Sequence, residues 1–225
     1  MATTHQGSIG SISPQNNNDS SEQSAEAIAV INTKPEDFEA LIEMVFNAFK
    51  NDPFLSWAFT NPASRKQFLS LFLQGSLRYP WVFHTENHEA LVAWIPPGGS
   101  VFTQQQKENF SDMLQQLCGD RADEVASAFD LFAEMQPNPA LNYYYLGLLC
   151  TNTHYRGKDI GINLLKENLA RVDELDMPAY LESSNIANNP RYETAGFKSI
   201  GSFQAPNNGP IITGMWRDKK AQRPD

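Results

Sequence analysis

The chain is short of cysteine, of positive charge and of long apolar runs, and each shortage removes a class of protein. Cys118 and Cys150 are the only cysteines in 225 residues. Both fall inside apolar patterns rather than at metal or redox spacing, which excludes a disulfide scaffold and points to free thiols in a reducing compartment. Lysine and arginine together number 17 against 26 aspartates and glutamates, a formal net charge of −9. Such a surface repels phosphodiester backbones and favours cationic or neutral partners, so nucleic acid is not an expected ligand. A membrane span needs about 18 apolar residues in a row, and no stretch approaches that. The N-terminus also lacks a basic segment followed by an apolar one. His84, His88 and His154 have no ligand spacing, and no metal site is expected. What is left is a cytoplasmic chain with no membrane partner, long enough for one domain with a sizeable core.

Residues 1–26 are mostly Ser, Asn, Gln and Gly with almost nothing to bury, and read as a disordered tail. Structure is expected from AIAVINT, a strand ending at Thr33. Thr33 and Glu36 stand at capping-box spacing with Pro35 in the first turn, and Phe38, Leu41, Ile42, Val45, Phe46 and Phe49 then form one apolar stripe, so a helix is expected over 35–50. NDPF breaks it, and a second helix follows NPASR to about Arg78. WVFHTE and EALVAWIP read as an antiparallel hairpin closed by IPPGG. A helical region spans 102–135, interrupted at CGD. The last third alternates: strand 142–151, helix 160–175, strand PAYLESS, short helix NPRYETAG, and strands FKSIGSFQ and PIITGMWR. This order predicts one α/β domain over 27–218, with a mixed sheet of about seven strands centred on YYYLGLLC and flanked by helices. Residues 219–225 read as a solvated tail.

Between that central strand and the following helix lies THYRGKDIG. Helix N-termini present unpartnered N–H groups and a partial positive charge, and a basic, glycine-containing turn there suits a phosphate. Ligands of α/β sheets gather at this end of the strands.

The run LGLLCTNTHYRGKDIG with its helix, followed by PAYLESSNIANNPRYETAGF, resembles the GNAT superfamily of acyl-CoA-dependent N-acetyltransferases. AWIPPGG is similar to a strand end of its puromycin-N-acetyltransferase-like members. The resemblance extends over roughly 28–217 and is specific from about 143 to 197. It implies that two strands splay apart at the acyl-CoA site and that acetyl-CoA is the co-substrate, with no metal. RGKDIG fills the family's Q/R-x-x-G-x-G/A pyrophosphate loop, with Arg156 first and Gly161 last and with Gly157, Lys158 and Ile160 between. Asp159 takes a place where the family has glycine, bringing a Cβ and a negative charge toward a diphosphate. The resemblance further implies that Leu148, Leu149 and Cys150 present backbone to the pantetheine arm, that Asn188 supports the coenzyme, that Asn185 stands at the mouth of the gap, and that Tyr192 lies beside the thioester sulfur.

Acetyl transfer needs an unprotonated amine, yet an alkyl amine with a pKa near about 10.4 is almost wholly protonated at neutral pH. Glu182, a carboxylate on an apolar strand at the reactive end, is the candidate base, since desolvation there raises its pKa. It could instead only bind the ammonium or pair with a core arginine. Strand parity selects Tyr144 among Tyr143, Tyr144 and Tyr145 as a pocket residue, the alternative being that all three are core. The phenol of Tyr192 would hydrogen-bond to sulfur as charge builds there, and the Leu148 N–H would hold the oxyanion. Residues 51–65, IPPGG and 102–135 are expected to select the acceptor, a primary or secondary amine of a small molecule. Two other readings stand beside this one: a non-catalytic acyl-CoA-binding module, motivated by Asp159, and acetylation of a protein lysine or N-terminus.

Overall fold

A computed structural model describes residues 29–220. The expected tail at 1–26 and residues 221–225 of the C-terminal tail lie outside the described residues. Seven strands form one mixed sheet: β1 (Val30–Asn32), β2 (Val82–Thr85), β3 (Ala90–Ile95), β4 (Tyr144–Thr151), β5 (Ala179–Ser183), β6 (Lys198–Gln204) and β7 (Ile211–Arg217). Their spatial order is β1-β2-β3-β4-β5-β7-β6, which puts β4 at the centre. The β4–β5 pair is parallel, and the other described pairs are antiparallel.

Helices cover both faces. On one side α1 (Phe38–Phe49), α3 (Pro62–Ser76), α5 (Phe110–Cys118) and α6 (Ala122–Met135) enclose a core that includes Leu41, Val45, Leu69, Leu73, Leu114 and Val125. On the other side α7 (Ile160–Glu174) lays Leu164, Leu165, Leu169 and Val172 against Val92, Trp94 and Leu181. Both stripes recur at helical spacing, and burying them supplies the main drive for this layering.

Three local expectations change. Pro35–Asp37 is a 3-10 turn ahead of α1, and the Asp37 carboxylate accepts from the Lys34 N–H at 2.8 Å, so the cap falls one residue later than Thr33 with Glu36. NDPF does more than break α1: Asp52 Oδ1 accepts from the Leu55 N–H at 2.9 Å and starts α2 (Pro53–Ala58). A proline at the first helical position loses no bond there, so the same residues that stop one helix begin the next. The 102–135 region resolves into α4 (Gln104–Glu108), α5 and α6.

Two features of β4 position the site. Its ladder with β5 consists of Tyr144 with Ala179 and Tyr145 with Tyr180, and stops there. The expected splay is therefore present, and β4 beyond Tyr145 turns unpaired backbone toward the gap. Against β3, Leu148 pairs with Ala93 but Leu146 with Trp94, so Gly147 is an extra, bulged residue. A bulge reverses side-chain parity along a strand. Tyr144 and Leu146 accordingly join the core under α7, whereas Leu148 and Cys150 join the opposite one. A Cβ at Gly147 would lie 2.9 Å from the Phe72 ring, which keeps the bulge glycine.

Candidate active site

Two cavities open along the splay. The first, about 320 Å³, lies between β4, the turn before α7, and the segment leading into α8 (Asn189–Thr194). Leu149, Cys150, Arg156, Gly157, Asp159, Ile160, Gly161, Asn185, Asn188 and Tyr192 line it. The turn is built for close approach of backbone. Gly157 has φ 81 and Asp159 φ 56, both in the left-handed region, where glycine is at ease and aspartate is among the few other residues accepted. A Cβ on Gly161 would come within 2.2 Å of Thr151 Oγ1, so the first turn of α7 packs directly on β4. No side chain caps α7. Its first N–H groups therefore face the cavity with the positive end of a 15-residue helix behind them. Arg156 anchors the turn by donating from Nη2 to the Ala48 carbonyl at 2.6 Å.

The second cavity, about 520 Å³, is lined by Phe54, Phe68, Phe72, Phe102, Phe129 and Phe132, by Ile95 to Val101, and by Tyr143, Tyr145, Gly147, Leu148, Lys107 and Gln136. Glu182 and Ser184 complete its wall on the β5 side. The three segments expected to select an acceptor thus converge here. The two cavities share Phe49 and Asp52, so whatever fills one borders on whatever fills the other.

Asp52 stands at that border, and Glu182 in the wall of the second cavity. Burial pushes Glu182 up to about 7, opposed by the nearby polar groups of Tyr145, Tyr180 and Gln136. Its Oε1 is buried with no hydrogen-bond partner, and no arginine pairs with it among the described residues. The Tyr180 hydroxyl beside it is likewise buried without a partner, so these two groups are left to satisfy each other. Burial also raises Asp52, although it accepts from Leu55 N–H and, at 2.5 Å, from Ser184 Oγ. Tyr192 is pushed up to about 12, by burial first and then by the Asp52 carboxylate. Burial likewise raises Cys150 to about 12 and keeps it a neutral thiol, and both cysteines are free.

Most of the expected site residues come together, with four displacements. Tyr144 is buried against Trp81, ring centroids 4.5 Å apart, on the face away from both cavities. The bulge at Gly147 is the reason: counted back across it from Leu148, parity selects Tyr145 and Tyr143. Leu148 lines the second cavity rather than the first, and Asn185 the first rather than the second. Lys158 lines neither, its ammonium lying 5.1 Å from the Tyr155 ring centre. Sequence reasoning missed Asp52, Ser184 and Gln136. Only Asp52 carries a signal, an aspartate before proline that marks a helix start, and nothing in that signal announces a buried position between two cavities.

The residues of the first cavity fit coenzyme A: unpaired strand backbone for an amide-bearing arm, an uncapped helix N-terminus and Arg156 for a diphosphate, and a half-buried phenol farther in. The sequence matches no protein-family model and no curated protein. Its fold does match solved structures. An acetyltransferase of Corynebacterium glutamicum related to the histone acetyltransferase HPA2 superposes with a TM-score of 0.61 at 18% identity, over 88% of this chain and 99% of that one. Arylalkylamine N-acetyltransferase 2 of Aedes aegypti gives 0.60 at 10% identity, over 86% and 99%. The Drosophila melanogaster polyamine N-acetyltransferase, which forms N-acetylagmatine, gives 0.57 at 13%, over 85% and 100%. The chain therefore has the fold of the GNAT acetyltransferases. No described helix is long and apolar enough to cross a membrane, and no group of three or more potential metal ligands occurs among the described residues.

Proposed function

We propose that this protein is an acetyl-CoA-dependent N-acetyltransferase that modifies a primary or secondary amine of a small molecule by direct attack in a ternary complex. The observation that carries this reading is Glu182: a carboxylate that burial pushes up to about 7, in the wall of a cavity that borders the one at the phosphate-suited turn. Bound acetyl-CoA supplies an acyl group activated as a thioester. Glu182 accepts a proton from the acceptor ammonium, and the freed nitrogen forms the new C–N bond as the C–S bond breaks. The amine gives up a second proton in forming the amide, and the departing thiolate takes one proton from solvent, so the reaction releases one proton overall. Tyr192 is too weak an acid, at about 12, to protonate a thiolate near about 8.5 ahead of bond cleavage. It donates a hydrogen bond instead as charge grows on sulfur. The carbonyl oxygen is assigned to the Leu149 N–H instead of that of Leu148: Asn152 N–H pairs with Glu89 across β3, and alternation along the ladder then turns Leu148 to β3 and Leu149 to the gap.

The likeness of AWIPPGG to puromycin-N-acetyltransferase-like members supports a small acceptor, as does the volume of the second cavity, about 520 Å³. A reducing cytoplasm suits the two free thiols. Calorimetric titration with acetyl-CoA, followed by a thiol-release assay over a panel of amines, tests the reading. Binding with amine-dependent thiol release is the expected result. Binding with no release on any amine would assign the chain to acyl-CoA sensing, and absence of binding would mean that Asp159 has disabled the loop.

A further inference from the structure

The acidic composition suggests a cationic acceptor, and a polyamine would be its simplest form. The second cavity argues otherwise. Two carboxylates line it, Asp52 and Glu182, and both belong to its β5 side, because Ser184, two residues beyond Glu182, donates to Asp52. Asp52 is already occupied on both oxygens, by Leu55 N–H and Ser184 Oγ. Glu182 Oε1 alone is buried and unpartnered. The negative charge of the cavity is thus gathered at one end, where one ammonium meets it.

Away from that end the wall holds no further carboxylate: Tyr143, Tyr145, Asn142 and Gln136 supply neutral polar groups, and most of the apolar surface is phenyl. Phe54 meets Phe132 edge-on at 4.9 Å and Phe129 at 5.8 Å. Phe68 continues the cluster to Phe129, Phe72 and Phe102. The cation among the lining residues is Lys107, on α4, and it takes part in no ion pair among the described residues. A second ammonium placed along this wall would lose its water, find no carboxylate, and meet the field of Lys107. Cation–π attraction to phenylalanine offsets little of that desolvation.

Resting on the acetyltransferase reading, we infer that the acceptor is a monoamine on a bulky apolar body: its ammonium on Glu182, its body among the phenylalanine rings, and a second cationic group excluded. The protein loaded with coenzyme A is titrated calorimetrically at pH 8 with 2-phenylethylamine and with butane-1,4-diamine, and both are assayed for thiol release with acetyl-CoA. The aromatic monoamine is expected to bind about 100-fold more tightly, the order of factor that an unpaired buried charge imposes. Equal or tighter binding of the diamine overturns this inference, and thiol release on the diamine in that case leaves the acetyltransferase reading intact. Failure of both amines to bind the loaded protein also overturns this inference, and thiol release on any other amine of the panel then leaves the acetyltransferase reading standing. Lys107→Glu supplies the missing carboxylate and should narrow the preference by about 10-fold. A ratio that does not move would overturn Lys107 as the group that turns the second cation away.

Discussion

The two cavities are built in opposite ways. The first comes mainly from one stretch, β4 through α8, closed on one side by the end of α1 and Asp52, and its features are mainly those of the backbone: a strand left unpaired after Tyr145, an uncapped helix start, and residues in left-handed conformation at Gly157 and Asp159. The second is assembled from side chains contributed by α2, α3, the turn after β3, α4, α6, β4 and β5. Backbone geometry tolerates wide variation in side chains, whereas a cavity walled by side chains changes with each of them. A fold shared at 10 to 18% identity can therefore keep a cavity of the first kind while one of the second kind changes.

Substitutions that act on one cavity and spare the other put that contrast at risk. The largest effect is expected at Glu182. Glu182→Gln should lower kcat by about 10²- to 10³-fold, within the range for loss of a general base, while coenzyme affinity, which belongs to the other cavity, stays within a few fold. Activity of the native chain should rise with pH through about 7 and that rise should vanish in the variant. Stability provides an independent check. A carboxylate raised from 4.5 to about 7 stays protonated in the folded chain after the unfolded chain has released its proton. Folding stability should thus fall as pH rises between those values and level off above. Denaturant midpoints for Glu182→Gln should lack this slope, and an unchanged slope would show that Glu182 is not the group with the raised pKa.

Tyr192→Phe comes next, with kcat lowered by about 10- to 100-fold for one transition-state hydrogen bond and coenzyme binding little changed. A comparable loss of affinity would mean that the phenol positions the coenzyme rather than serving the departing sulfur. The smallest effect is assigned to Asp159→Gly. Relief of the left-handed φ of 56 and removal of one negative charge at the loop should tighten acetyl-CoA binding by about three- to tenfold. The gain should shrink in salt. No gain would show that the carboxylate points to solvent.

Much of the first cavity was legible because its signals are local. RGKDIG between a strand and a helix, with Asn188 and Tyr192 a fixed distance on, lies in consecutive elements whose geometry follows from turn and helix-start chemistry. Glu182 was also legible, as a carboxylate where strand alternation leaves little water. Tyr144 shows where such reading stops. One inserted residue at Gly147 reverses the faces of β4, and a bulge arises from pairing with β3, a strand some 50 residues away in sequence. Asp52 shows the same limit from the other direction. Its capping role depends on the next three residues, but its burial against Ser184 depends on β5.

By itself, then, the sequence determined the order of the strands and of the main helices, a sheet of about seven strands centred on β4, and a phosphate-suited turn at the start of α7. These rest on periodicity, capping and φ preference, all of which act within a few residues. Only the tertiary structure decided the placing of β7 between β5 and β6, the side of β4 on which each tyrosine lies, and the meeting of Asp52, Glu182 and the phenylalanine rings around one cavity. Those depend on which distant surfaces bury one another, and that is settled by packing of the whole chain rather than by any one segment.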